Sequence, residues 1–182
     1  MSQTSDGNRL LMPISEHDHT QGGMNASVIL VEYGDYQCLS CGEVNRMIRE
    51  IQQQSQLCFV FRHFPRIHIH PQAQKAAEAA EAAAAQNKFW QMHNTLFANQ
   101  YALNNGYLLE YANQLQLDIA RFLWDMTDHV HAERVTQNIQ GGIQSGVSST
   151  PALFVNGVRY KDAWDTHRLL AAIAQARNSQ SI

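Results

Sequence analysis

Two cysteines stand three residues apart in "YGDYQCLSCGEV" (33–44), as Cys38 and Cys41. That spacing allows a redox-active dithiol, two thiolate ligands for a metal, or two core residues. A cysteine in the first turn of a helix meets unpaired backbone N–H groups and the positive end of the helix dipole, and both stabilise a thiolate. The thiolate is the nucleophile, and a Cys-x-x-Cys in this setting lowers the first thiol's pKa from about 8.5 to roughly 3.5–7.5. Cys38 would then attack a disulfide. Cys41, one helical turn on, would resolve the mixed disulfide. A zinc site usually takes about four N or S ligands. The sequence has no second Cys-x-x-Cys, so partners would have to come from His17 and His19 in "EHDH" or His68 and His70 in "IHIH". Both pairs alternate at a spacing of two, which suits a strand or loop better than a helix face.

The dithiol chemistry needs a strand before Cys38 and a helix after it, and the pattern supplies both. "SVILVEYG" (27–34) is a short β-branched apolar run and predicts a buried strand. "CGEVNRMIREIQQQ" (41–54) places Val44, Met47, Ile48 and Ile51 at helical spacing. "LCFVFRHF" (57–64) predicts a second strand, parallel to the first. From Pro71 to Gly146 the chain reads as a block of helices that begins with an alanine-rich tract. "PALFVNGVRYK" (151–161) returns to strand character. Its Asn156-Gly157 between two apolar runs is a strong hairpin signal. "WDTHRLLAAIAQARN" (164–178) closes the chain as an amphipathic helix. The polar residues 1–24 read as a mobile arm with a partly ordered end. The expected class is therefore α/β, with the order β-α-β, helices, β-β-α.

Composition narrows the function classes. The 182 residues carry a formal net charge of −3, with acidic and basic groups mixed, so no nucleic-acid or anionic-membrane footprint is expected. No apolar run approaches the roughly 20 residues of a membrane span. The N-terminal stretch lacks a basic start and an apolar core of roughly 7–15 residues, which predicts a cytoplasmic protein. Three cysteines, an odd number, argue against a structural disulfide framework in such a setting. Cys58 opens an apolar strand and reads as a core thiol.

"VEYGDYQCLSCGEV", "FVFRHFP", "AAEAAEAAAAQNKFWQMHNTLF" and "GVSSTPALFVNG" together resemble the DsbA-like thiol–disulfide oxidoreductases, in particular the BdbD-type and cytosolic DsbA-like branch. The resemblance spans roughly residues 25–177. It implies a thioredoxin fold, residues 25–66 and 144–178, interrupted by an all-helical insertion at 67–143, with the arm at 1–24. It implies Cys38 and Cys41 as the reacting pair. It makes Pro151 a cis-proline facing them, with Thr150 pairing to a substrate strand. It makes Glu32, six residues before Cys38, a buried acid that exchanges the proton of Cys41. The bland alternatives are a solvated strand-end role for Glu32 and an edge-strand start for Pro151. Phe89, Trp90 and His93 would roof the site, although Trp90 and His93 read first as packing residues. His63 reads as a strand-end residue, and most of the nine histidines are expected at the surface.

Two departures qualify the resemblance. The dipeptide between the cysteines is Leu39-Ser40, where this branch often has a proline and strongly oxidising members have a histidine. A less depressed Cys38 pKa and a less oxidising couple are expected. An export signal is also missing, so reduction or isomerisation of protein or peptide disulfides in the cytosol is the expected direction. Glutathione or a thioredoxin-type protein would be the redox partner, and no bound cofactor is required. The rival readings are a glutathione-dependent isomerase or transferase of the same fold, and a Cys/His metal-binding or redox-sensing module without turnover.

Overall fold

The computed structural model describes residues 8–179. In chain order the elements are β1 (His19–Gln21), β2 (Ile29–Gly34), α1 (Leu39–Gln54), β3 (Cys58–His63), α2 (Ala73–Ala84), α3 (Phe89–Ala98), α4 (Asn105–Gln114), α5 (Ile119–Thr127), α6 (Ala132–Gln144), β4 (Ala152–Val155), β5 (Val158–Arg159) and α7 (Thr166–Asn178). One five-stranded sheet has the order β1-β3-β2-β4-β5. β2 lies at its centre, parallel to β3 from Ile29↔Cys58 to Gly34↔His63 and antiparallel to β4 from Leu30↔Val155 to Tyr33↔Ala152. A central strand is covered on both faces, so it reads as a continuous apolar run rather than an alternating one. The expected α/β order, with helices between β3 and β4, is observed, and it is the thioredoxin fold.

Each expected element has a local cause. On α1, Val44, Met47, Ile48 and Ile51 are buried, one apolar stripe at helical spacing. Asn104, Asp118 and Asp165 cap α4, α5 and α7 by accepting backbone N–H bonds. The β4–β5 hairpin turns through Asn156 and Gly157, both at positive φ, 47° and 78°, as a two-residue hairpin of this hand requires. On α2 the small side chains allow burial on nearly every face. Glu78 and Glu81 are buried with them, but each is paired, with His129 at 2.8 Å and with His19 and His63 at 2.9 Å. Pairing is the condition under which acids tolerate such burial.

Residues 1–7 of the expected arm lie outside the described residues. Within 8–24 every residue is half-buried or exposed, and two segments of it pair with the sheet. β1 extends the sheet antiparallel to β3, and Arg9 bridges Val158 at the opposite edge. The cause is one buried cation. Arg62 on β3 donates to both carboxylate oxygens of Asp18, at 2.8 and 2.9 Å, and to the carbonyls of Met12 and Pro13. Polar residues held by a guanidinium leave no apolar period, so the pattern gave no sign of this strand.

Candidate active site

β2 delivers the chain to the site and Asp35 shapes the turn that follows. The Asp35 side chain accepts from the N–H of Gln37 at 2.7 Å, the N–H of Arg66 at 2.8 Å and His70 Nδ1 at 2.7 Å. The loop before α1 is thus tied to the loop after β3. Cys38 is the N-cap of α1, with extended backbone, φ −77° and ψ 115°, and its sulfur accepts the Cys41 N–H at 3.3 Å. This is the expected placement at the helix N-terminus.

Gln100, just beyond α3, ties the roof to this turn. Its Nε2 donates to the carbonyl of Tyr36 at 3.0 Å and to that of Cys38 at 2.7 Å. The contact explains Gly42: a Cβ there would lie 2.1 Å from Gln100 Oε1. Gly42→Ala gains about 0.5–1 kcal/mol of helix propensity but displaces that amide and both of its bonds, each worth roughly 0.5–1.5 kcal/mol. A net loss of about 1 kcal/mol in urea unfolding is expected. A more stable variant would show that the amide relocates without loss.

The Cys38 thiol is pulled down to about 6. The chief cause is the hydrogen bond from the Cys41 thiol. Burial opposes it, the Cys41 N–H and Thr150 assist, and the Asp35 charge pushes upward. As a thiol, Cys38 donates to the Thr150 carbonyl across 3.6 Å. A thiolate cannot donate, but the Thr150 hydroxyl is buried and has no hydrogen-bond partner, so it is available to the charged sulfur. The Thr150–Pro151 peptide is cis. Cys41 is fully buried and its pKa lies well above the usual thiol range, first through burial, then through its bond to Cys38 and the nearby Glu32.

Glu32 lies on β2 with both carboxyl oxygens buried and unpartnered. Burial, then the Cys38 charge, pushes its pKa up to about 8. Buried polar groups without partners are rare and call for an explanation; here two of them, Glu32 and the Thr150 hydroxyl, flank the cysteine pair. The five residues singled out by sequence, Glu32, Cys38, Cys41, Thr150 and Pro151, therefore converge.

Other histidines and cysteines fall elsewhere. His93 is buried, accepts from the Tyr36 hydroxyl at 3.0 Å and donates to Asn45 Oδ1 at 3.1 Å, a packing bridge from α3 to α1. Burial holds it neutral, well below the usual histidine range. His63 is also buried, and six histidines carry a hydrogen bond to a carboxylate or bridge buried groups, so fewer are simply exposed than expected. Cys58 is a buried thiol on β3, as expected. Neither Cys38 nor Cys41 shares a ligand cluster with a histidine among the described residues. The group with metal-ligand proximity is His19, His63 and Glu81, whose three atoms lie within 4.8 Å, and there both rings already hydrogen-bond the carboxylate. Asp35, Gln100 and His70 as a loop tie were missed by sequence reasoning. Asp35 sits in "YGDYQC" itself, but nothing in the sequence shows what it binds.

Comparison with known proteins fits this geometry. The thioredoxin family profile matches residues 15–175. BdbD from Bacillus subtilis, in its oxidised crystal structure, superposes with a TM-score of 0.78 at 22% identity, covering 87% of this chain and 92% of that one. Alpha-DsbA1 from Wolbachia pipientis gives 0.79 at 19% identity, covering 93% and 95%. A curated relative, Na(+)/H(+) antiporter NhaA 1 of Salinispora arenicola, is 41% identical over 169 residues, 92% of this chain and 26% of the relative. The chain spans about a quarter of the length of the curated relatives it matches.

Proposed function

Since the chain belongs to the thioredoxin family, we propose that it is a DsbA-like dithiol–disulfide oxidoreductase acting on protein or peptide substrates. The observation that carries this reading is the Cys38 thiol, capped on α1 and drawn down to about 6, above a fully buried Cys41. The Cys38 thiolate attacks one sulfur of a substrate disulfide and the other substrate sulfur leaves. Cys41 then gives up its proton to Glu32, attacks Cys38 Sγ and releases the second substrate thiol. The substrate is reduced by two electrons and the Cys38–Cys41 pair is oxidised by two. Thr150 offers its backbone to an extended substrate segment, as added strands dock on sheet edges.

The direction we propose is reduction or isomerisation in a reducing cytosol, with glutathione or a thioredoxin-type protein returning the electrons. A pKa of about 6 supports it. It lies nearer the ~7 of thioredoxin than the ~3.5 of DsbA, and the less a thiolate is stabilised, the less oxidising the couple. Equilibration in glutathione buffers tests this. The expected potential is closer to the about −270 mV of thioredoxin than to the about −120 mV of DsbA. A value at the DsbA end would leave the chemistry standing and reverse the direction.

Ion antiport, in the name of the curated relatives, belongs to proteins of which this chain matches about a quarter. Among the described residues no helix is long and apolar enough to cross a membrane. We read this chain as a redox module, not a transport path.

A further inference from the structure

A groove of about 560 Å³ opens beside Cys38, lined among others by Leu39, Arg66, Ile69, His70 and Tyr101. Leu39, Ile69 and Tyr101 are exposed in it, at 51%, 55% and 90%. Such a surface accepts the flanks of a substrate cysteine. His70 brings an imidazole to this wall, and it is not idle. Its Nδ1 lies 2.7 Å from Asp35 Oδ2, and the Asp35 side chain is fully buried. Two backbone N–H groups also point at this carboxyl, so its oxygens are acceptors and His70 Nδ1 is the donor. That bond fixes the tautomer and the ring orientation, the arrangement by which a carboxylate positions a histidine for proton transfer. No described residue hydrogen-bonds Nε2, and the His70 side chain keeps 21% of its surface exposed.

We propose that His70, oriented by Asp35, is the acid that protonates the leaving substrate sulfur when Cys38 attacks. The inference rests on the oxidoreductase reading above. In the step, the Cys38–substrate S–S bond forms as the substrate S–S bond breaks. The acid is the His70 imidazolium, with both ring nitrogens protonated; the displaced sulfur takes the Nε2 proton, which leaves the neutral ring with Nδ1–H still bound to Asp35, and a proton from solvent restores the imidazolium. Glu32 cannot serve this sulfur, because it is buried on the sheet side with Cys41, away from the groove. The two proton carriers thus divide the reaction, His70 giving a proton to the departing substrate sulfur and Glu32 taking one from Cys41.

His70→Asn tests this, since the asparagine amide can keep the Asp35 bond while removing Nε2. The reduced enzyme is mixed with two probes. Oxidised glutathione releases an alkyl thiolate that needs a proton; 5,5′-dithiobis(2-nitrobenzoate) releases an aryl thiolate that leaves without one. The expected result is a loss of about tenfold or more with the alkyl probe and less than about twofold with the aryl probe. Equal losses with both, or none with either, overturn the proposal. Should the asparagine variant not fold, His70→Gln is read by the same ratio of rates. Wild-type protein that attacks neither probe through Cys38 sinks the oxidoreductase reading itself, and this one with it.

Discussion

Cys38→Ser lowers insulin-disulfide reduction by about 10³-fold or more, equivalent to roughly 4 kcal/mol of transition-state stabilisation. The attacking atom is removed, and a serine hydroxyl is no thiolate at neutral pH. Cys41→Ser fails differently. The attack still occurs, but nothing resolves it, so substrate stays bound to Cys38 and appears as a mixed disulfide on a non-reducing gel. A second consequence follows from the hydrogen bonds. The Cys41 thiol is the largest single influence lowering the Cys38 pKa. In wild type, alkylation by iodoacetamide should rise with a midpoint near the pKa of about 6. In Cys41→Ser the hydroxyl donates in place of the thiol, yet the midpoint moves, because the donor's strength and reach differ. Cys38→Ser loses the low-pH phase entirely, since Cys41 and Cys58 are buried and their pKa values are raised. Full activity in both variants would defeat the mechanism.

The reacting pair was readable because its chemistry is local. A thiol at the start of a helix is written in consecutive residues, strand then Cys-x-x-Cys then helix stripe. The hairpin at Asn156-Gly157 was readable for the same reason, as backbone conformation is set there by two neighbouring residues. Glu32 and Pro151 came from family resemblance. The sequence alone left Glu32 open between a solvated strand end and a buried acid, and only the sheet decides. β2 is central, so a residue pointing from either face is covered. The tether of the N-terminal stretch to β3 was not readable, because Arg62 and Asp18 are 44 residues apart and neither carries a periodic signal. The tie from Asp35 to His70 failed to show for a related reason. It spans 35 residues and joins two loops, where spacing along the chain constrains nothing. What sequence periodicity conveys is burial; what it omits is which buried polar groups find each other.

Glu32→Gln raises the stability of the reduced protein at pH 8 and slows its turnover. The sign follows from linkage. The carboxyl titrates near 4.5 in the unfolded chain and at about 8 in the folded one. Between those values the folded state holds a proton that the unfolded state has lost, so stability falls as pH rises through this window. Below 4.5 the group contributes nothing, and above about 8 the full penalty applies. At ~1.4 kcal/mol per pH unit, the penalty is on the order of 5 kcal/mol. At roughly 2–4 °C per kcal/mol for a domain of this size, the variant's thermal midpoint at pH 8 should exceed wild type by about 10–20 °C. The difference should vanish near pH 4. An equal midpoint at both pH values would mean that Glu32 ionises freely when folded. The same raised value explains the catalytic cost. While Cys38 is a thiolate, its charge helps to keep Glu32 protonated. Formation of the mixed disulfide removes that charge at the moment when Cys41 must lose its proton. With that charge gone Glu32 gives up its own proton to solvent more readily, and the carboxylate left behind can take the proton of Cys41, so proton release from Cys41 is coupled to the preceding attack. Glutamine cannot take part, so the attack by Cys38 is retained while resolution slows by about 10- to 100-fold, and the mixed disulfide accumulates in the steady state. A loss confined to the first step would instead place Glu32 in the service of Cys38.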